Sequence, residues 1–337
     1  MTRLSLLLSI FMASMAYASI GDRLIEFQDC NDFQSPRFNI YSPLKVLWSP
    51  EKNCNYKCQQ LITDLRLSQG HEMVQFYGKW PFVRILGMQE FYSTIFSLAN
   101  FYVHYQSLRK VILQVHKNSK EINTYKYRTM TLQYLYLIVV SMFGWTLSSI
   151  FHICDNKTTE KFDYFGAGAI ILTSLNCIFI RYFELFKYSK VTRLVNLIFL
   201  IVFLFHIRKL NLKWDYQYNT NFNLVIGVFS IILWSLQAIR DYKTFQSNYI
   251  IYNNSIQLLP FETKILKRIN ISVKHIPLLP IFFNLWLAVG IAFEIFEFTP
   301  WFRLIDGHAI WHLITAFPPL IWYDWNIWDI ELLKISD

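Results

Sequence analysis

The sequence predicts an all-α integral membrane protein: seven transmembrane helices behind a small lumenal, cysteine-containing N-terminal segment. Three observations predict it. Apolar residues make up 54% of the chain and charged residues only 16%, against roughly a quarter charged in soluble proteins, so lipid must cover part of the surface. From about residue 84 the chain is a series of apolar runs, most of them near the roughly 20 residues that cross about 30 Å of hydrocarbon. The opening residues, MTRLSLLLSIFMASMAYASIGD, set one arginine before an apolar stretch and end in a small-x-small pattern suited to signal peptidase.

Taken in order, residues 1–18 read as a cleaved signal peptide, with an uncleaved anchor as the alternative, and 19–83 as a segment that starts in the lumen either way. Three of its residues are Cys30, Cys54 and Cys58, and an oxidising compartment predicts at least one disulfide there. Cys54-x-x-x-Cys58 lacks a further His or Cys spaced to complete a metal site. Three cysteines are odd, which leaves Cys30 or Cys58 either to pair with Cys154 or to stay free. Spans follow near 84–105, 131–152, 163–186, 192–207, 221–239, 276–295 and 308–329. Each must be helical, because hydrocarbon offers backbone groups no partners. The fourth is short and extends through Arg208. Residues 331–337 form a cytosolic tail.

Charge tests this orientation. The net charge of +9 is not a nucleic-acid signal: the chain has no zinc-finger spacing and no basic helix with an aromatic platform. The basic residues lie in the connections. Segments 106–130 and 240–275 each carry six Lys or Arg, whereas 153–162 has only Lys157 and Lys161 and 296–307 only Arg303. Positive charge therefore marks the cytosolic side. The loop 208–220 is an exception, with Arg208, Lys209 and Lys213 on the lumenal side. Asn156-Lys157-Thr158 is a lumenal sequon crowded by two spans, while the sequons at Asn253 and Asn270 fall on the cytosolic side. No repeat relates the two halves, unlike many transporters.

Ionisable residues at membrane depth are the first place to look for function. Ser148 and His152 are four apart and share a face at the end of span two. His308 and His312 repeat that spacing at the start of span seven, and Asp163 opens span three. The topology places all five in one layer near the lumenal leaflet. Three imidazoles with a fourth position left to water form the ligand set of a catalytic zinc site. A lone His near a helix end is usually interfacial; a third His, an acid and a hydroxyl at one depth tip the balance to metal. His206 faces no obvious partner, and His71, His104, His116 and His275 lie in or beside water-exposed segments. Helix pairing or snorkelling accounts for Glu90, Arg181, Glu184, Glu294 and Glu297. The aromatic clusters near Trp80 and at 322–328 read as interfacial belts.

These motifs carry a resemblance. Ser148-x-x-x-His152 with Asp163 and a late His308-x-x-x-His312 resembles the seven-span hydrolase superfamily of alkaline ceramidases and adiponectin receptors. Gln75-Phe-Tyr-Gly-Lys-Trp-Pro-Phe82, Gln89-Glu90, Phe151-His152-x-x-Asp155, Asp163-Tyr-Phe165 and Asp306-Gly-His-Ala-Ile-Trp-His312 are similar to the fungal and animal family of post-attachment GPI lipid remodelling proteins. The resemblance runs from about Cys30 to the end of span seven, although that family usually carries more lumenal cysteines. It implies a Zn2+-dependent, phospholipase A2-like hydrolase in residues 84–330, multi-pass in the endoplasmic reticulum membrane, with Golgi or vacuole not separated. Its substrates would be GPI-anchored proteins, converted to lyso-GPI by removal of the sn-2 acyl chain.

By position, His152, His308 and His312 match the superfamily's zinc ligands, and Ser148 and Asp163 the polar partners of the attacking water. Asp155 and Asp306 match family positions, and orientation of a histidine is a role that would suit them. Three other readings remain. A seven-span receptor with structural zinc has little tail for coupling. A metal-homeostasis protein predicts polar residues continuing toward the cytosol, and no clear chain of them is visible in the sequence. A ceramidase-like amide hydrolase would use the same site on a different lipid.

Overall fold

The computed structural model describes residues 19–34, 48–120, 125–254, 265, 268–269 and 271–336; the expected signal peptide, residues 1–18, lies outside them, as does the sequon at Asn270. The described residues are mainly helical: α1 (Ile25–Gln34), α2 (Pro50–Ser68), α3 (Phe91–Lys120), α4 (Tyr125–Ile153), α5 (Lys157–Tyr182), α6 (Ser189–Leu212), α7 (Tyr216–Asn254), α8 (Leu279–Ile295), α9 (Gly307–Thr315) and α10 (Pro319–Ser336). Among the described residues, β-pairing is limited to isolated bridges at turns.

Five segments are long and apolar enough to cross a membrane: α4, α5, α6, α7 as far as Gln246, and Val273–Ile295, which ends in α8. They correspond to expected spans two to six. The fourth is longer than the apolar run suggested, because α6 continues past Arg208 to Leu212. The first and seventh spans differ, each for a physical reason. Helix α3 starts at Phe91, not at 84, because the chain first turns through a bridge between Ile85 and Met88. Its 30 residues give a length of about 45 Å. It falls short of an apolar composition because Ser93, Ser97, Asn100, His104 and Ser107, spaced three or four apart, and Gln114 two turns further on are all buried polar residues. This stripe faces neighbouring helices, not lipid. The expected span 308–329 is broken into α9 and α10 around Pro318, which cannot continue a helical hydrogen-bond ladder.

The α3 stripe corrects the expectation that no polar residues run through the bundle, and it corrects His104 as well. That residue is buried, not beside water, and its Nδ1 lies 2.8 Å from the Tyr323 hydroxyl. His206, expected to lack a partner, stacks on Phe222 with ring centroids 3.9 Å apart and lies 3.3 Å from the Tyr218 hydroxyl. Trp325 and Trp328 are not an interfacial belt. Both are fully buried in the main core with Trp234, Tyr134, Phe245 and Phe283.

That core sits at the end of the bundle away from the three histidines and encloses charge. Arg181 on α5 makes a two-pronged pair with Asp329 on α10, both bonds at 2.7 Å, as helix pairing predicts for it. Lys110 on α3 bonds Asp324 at 2.8 Å. Helices α4 and α5 meet closely in their other halves, where Gly144 and Gly166 leave no room for a side chain: a Cβ on Gly166 would lie 3.0 Å from the Gly144 Cα.

At the histidine end, residues 19–34 and 48–90 form a small cap. The disulfide joins Cys30 to Cys58, so Cys54 and Cys58 are not partners and Cys54 stays a buried thiol. It staples α1 to α2 around Phe27, Ile62, Val74 and Phe76. The cap is tied to the bundle by backbone bonds. Gln89 and Glu90 donate to the carbonyls of Ile153 and His152, and Val83 donates to that of Arg303, each at 3.0 Å.

Candidate functional site

Two helix ends and one capped start build the site. His152 occupies the last turn of α4, held there by the Glu90 backbone bond. Helix α9 begins at Gly307 because Asp306 caps it, its carboxylate accepting from the Ala309 N–H at 2.8 Å; this is a strong N-cap arrangement. Gly307 is needed because the turn is pressed on the end of α8: a Cβ there would lie 2.2 Å from the Phe293 carbonyl oxygen. That close approach brings His308 beside Glu294. Four residues on, His312 lies on the same face of α9.

The three histidines converge through one type of atom. The His308 Nε2 is 2.9 Å from that of His312 and 3.4 Å from that of His152. Nitrogens bound to a tetrahedral zinc at 2.0–2.1 Å lie about 3.3 Å apart. Each opposite nitrogen has its own acceptor. The Nδ1 of His152 meets Glu90 Oε2 at 2.7 Å, that of His308 meets Glu294 Oε2 at 2.8 Å, and that of His312 meets Ser97 Oγ at 2.7 Å. The Glu90 and Glu294 carboxylates fix one tautomer on His152 and His308, with the proton on Nδ1 and the Nε2 lone pair inward, and the same tautomer on His312 pairs its Nδ1–H with the Ser97 hydroxyl. Three lone pairs aimed at one point repel unless a cation or proton sits between them. The donor set therefore fits a zinc ion, and the group can hold one metal.

The serines extend the pattern. Ser97 lies 3.3 Å from Ser148, and Asp163 stands beside Ser148. With His312 donating from Nδ1 to Ser97, the Ser97 hydroxyl is left to donate to Ser148. His152 and His312 are buried, at 1% and 4% exposure. The His308 and Glu294 side chains are 35% and 42% exposed, so the site opens on their side.

All five expected site residues thus come together. Glu90, Glu294 and Ser97 are additions, and they correct the reading of the two glutamates as snorkelling or pairing residues. Asp155 and Asp306 do not hold a histidine. Asp306 caps α9, and Asp155 lies 3.1 Å from the Lys79 ammonium, which also bonds Glu90 at 2.8 Å. Burial works against that ammonium, but Glu90 and then Asp155 outweigh it and hold Lys79 protonated above the ordinary lysine range. Arg84 fastens the same strap, with its guanidinium over the Trp48 ring and bonded to Asn53 and Gln89.

The model of the Per1-like family matches residues 42–330. Protein PER1 of Saccharomyces cerevisiae is 34% identical over 304 residues, covering 90% of this chain and 82% of its own. The GPI-specific phospholipase A2-like PGAP3 of Xenopus tropicalis is 30% identical, with 98% of this chain and 96% of its own covered. The human protein of that name is 28% identical, with 96% and 94% covered. No solved structure matches.

Proposed function

This chain belongs to the Per1-like family, and we propose that it is a GPI-remodelling hydrolase that removes the sn-2 acyl chain of GPI-anchored proteins to leave lyso-GPI. The reading adds seven membrane crossings, with α3 and the α9–α10 pair as first and last, and a residence in the endoplasmic reticulum with the histidine end in the lumen. The observation that carries it is the convergence of three Nε2 atoms whose rings are each held from behind by a separate acceptor. The relatives named GPI-specific phospholipase A2-like support the choice of substrate.

His152, His308 and His312 would hold one zinc ion, which when bound supplies a nucleophile at neutral pH by lowering the pKa of water to about 7. The remaining work falls to side chains. Asp163 orients the attacking water and takes its proton. Ser148, beside Asp163, would hydrogen-bond the water or the developing oxyanion. Glu90, Glu294 and Ser97 keep the rings from rotating. The exposed His308–Glu294 side admits a lipid ester, whose carbonyl lies just below the headgroups.

The polar stripe on α3 favours a second reading, passage of a metal ion through the bundle. The far end opposes that, because its Asp324 and Asp329 carboxylates are already taken by Lys110 and Arg181.

Purified protein assayed for metal and for fatty acid release from a defined GPI tests the proposal. One zinc per chain with released fatty acid is expected, and His312→Ala should lose both. Remodelling that survives His312→Ala in cells would overturn it.

A further inference from the structure

We infer that the histidine end carries a binding site for the phosphodiester of an anionic lipid headgroup, set between the start of α5 and the end of α6. The inference rests on the reading of this end as a lipid hydrolase and bears on which lipid it takes.

The end of α6 is the sequence's exception to the positive-inside pattern. Lys157 and Lys161 open α5, while Arg208, Lys209 and Lys213 close α6. The two ends are held together by an aromatic bridge. Trp214 packs on Tyr164 and Phe165 at 5.5 and 6.2 Å, and the Lys161 ammonium lies 5.8 Å from the Trp214 ring centre.

Among the described residues these cations form no ion pair. The acids nearest in the chain are committed elsewhere: Glu160 accepts from the Tyr216 hydroxyl at 2.6 Å, and Asp215 accepts from the Tyr218 N–H at 3.0 Å. Helix-dipole compensation suits cations at the end of α6. It does not suit Lys157 and Lys161, which sit at the helix start, where the dipole disfavours positive charge.

Arg208, Lys209 and Lys213 line an open recess of about 370 Å³ with Phe205 and Leu212. Both apolar residues are strongly exposed, at 63% and 78%. A cationic rim over a lipid-facing apolar wall matches a phospholipid, with phosphate above and chains below. The aromatic bridge beside the end of α6 includes Tyr164, the residue after Asp163. A phosphoinositol lipid carries its phosphate a few bonds from the sn-2 ester. A ceramide has neither phosphate nor ester. The site therefore separates the two hydrolase readings that share the histidine chemistry.

The test measures binding of two short-chain probes, dihexanoyl phosphatidylinositol and dihexanoylglycerol, to full-length protein in detergent. The proteins are wild type, Lys161→Gln and the triple variant Arg208→Gln, Lys209→Gln, Lys213→Gln. Zinc content equal to wild type shows that each variant is folded. The triple variant should bind the phosphoinositol probe at least about tenfold more weakly, with dihexanoylglycerol unchanged, and Lys161→Gln should show a smaller loss of the same kind. Equal affinity of wild type and triple variant for the phosphoinositol probe, or equal loss of both probes, overturns the inference. Selective binding without fatty acid release would instead leave this site standing and remove the hydrolase reading.

Discussion

The two ends of the bundle bury polar clusters of similar size that obey opposite rules. At the far end every full charge meets its opposite, Arg181 with Asp329 and Lys110 with Asp324. The result is a closed, mutually neutralising set in a tryptophan-rich core. At the histidine end like faces like: three imidazole lone pairs point at one another, and the carboxylates stand behind the rings. An arrangement that pairs charges is complete without a visitor. One that aims three acceptors at a point makes electrostatic sense only with a cation there. Burial and ionisability alone do not separate structure from site; the direction of the lone pairs does.

The largest expected difference comes from breaking one member of each cluster. His152→Ala should lose metal and fatty acid release to background while the protein still purifies as a folded species, checked by metal analysis and thermal unfolding. Arg181→Met should do the reverse. It strands Asp329 in the core and should cost about 3–5 kcal/mol of stability, seen as a lower unfolding temperature, with metal stoichiometry kept in the protein that remains folded. If both variants failed in the same way, the contrast between the ends would be wrong.

A smaller effect should come from the acceptors behind the rings. Glu90→Gln and Glu294→Gln keep shape and one oxygen, so the rings lose charge, not position. Each should weaken metal affinity by about 10–100-fold, read by competition with a chelator. The smallest effect belongs to the strap. Lys79→Met removes a partner of Glu90 one step further out and should weaken metal retention by less than about tenfold. A lysine held above its unfolded pKa contributes fully below that value and loses its contribution only as pH rises through the folded one. Wild type and Lys79→Met should therefore run parallel in metal retention between about pH 7 and 9.

The five middle spans and the three histidines were legible in the sequence, because hydropathy and four-residue spacing are local signals. What was not legible depended on which way a polar residue faces. Helix α3 and the α9–α10 pair carry their polar residues inward, so composition understates them, and the break at Pro318 was hidden inside one apolar run. Glu90 and Glu294 look in sequence like any carboxylates near a membrane rim. Only the seating of Gly307 on the end of α8, and of residue 90 against the end of α4, turns them toward His308 and His152. Ser97 was the recoverable miss: it sits on the same three-or-four-residue stripe as Ser93, Asn100 and His104, a pattern that is visible once α3 is read as polar on one face.

X-ray absorption at the zinc edge of the purified full-length protein reads the cation's surroundings directly. Three histidine nitrogens and one oxygen, all at about 2.0–2.1 Å, in a signal that disappears with His308→Ala, are what the converging rings require. A sulfur-containing shell, or a metal signal unchanged in that variant, would place any bound ion elsewhere and leave the three imidazoles without the partner that explains them.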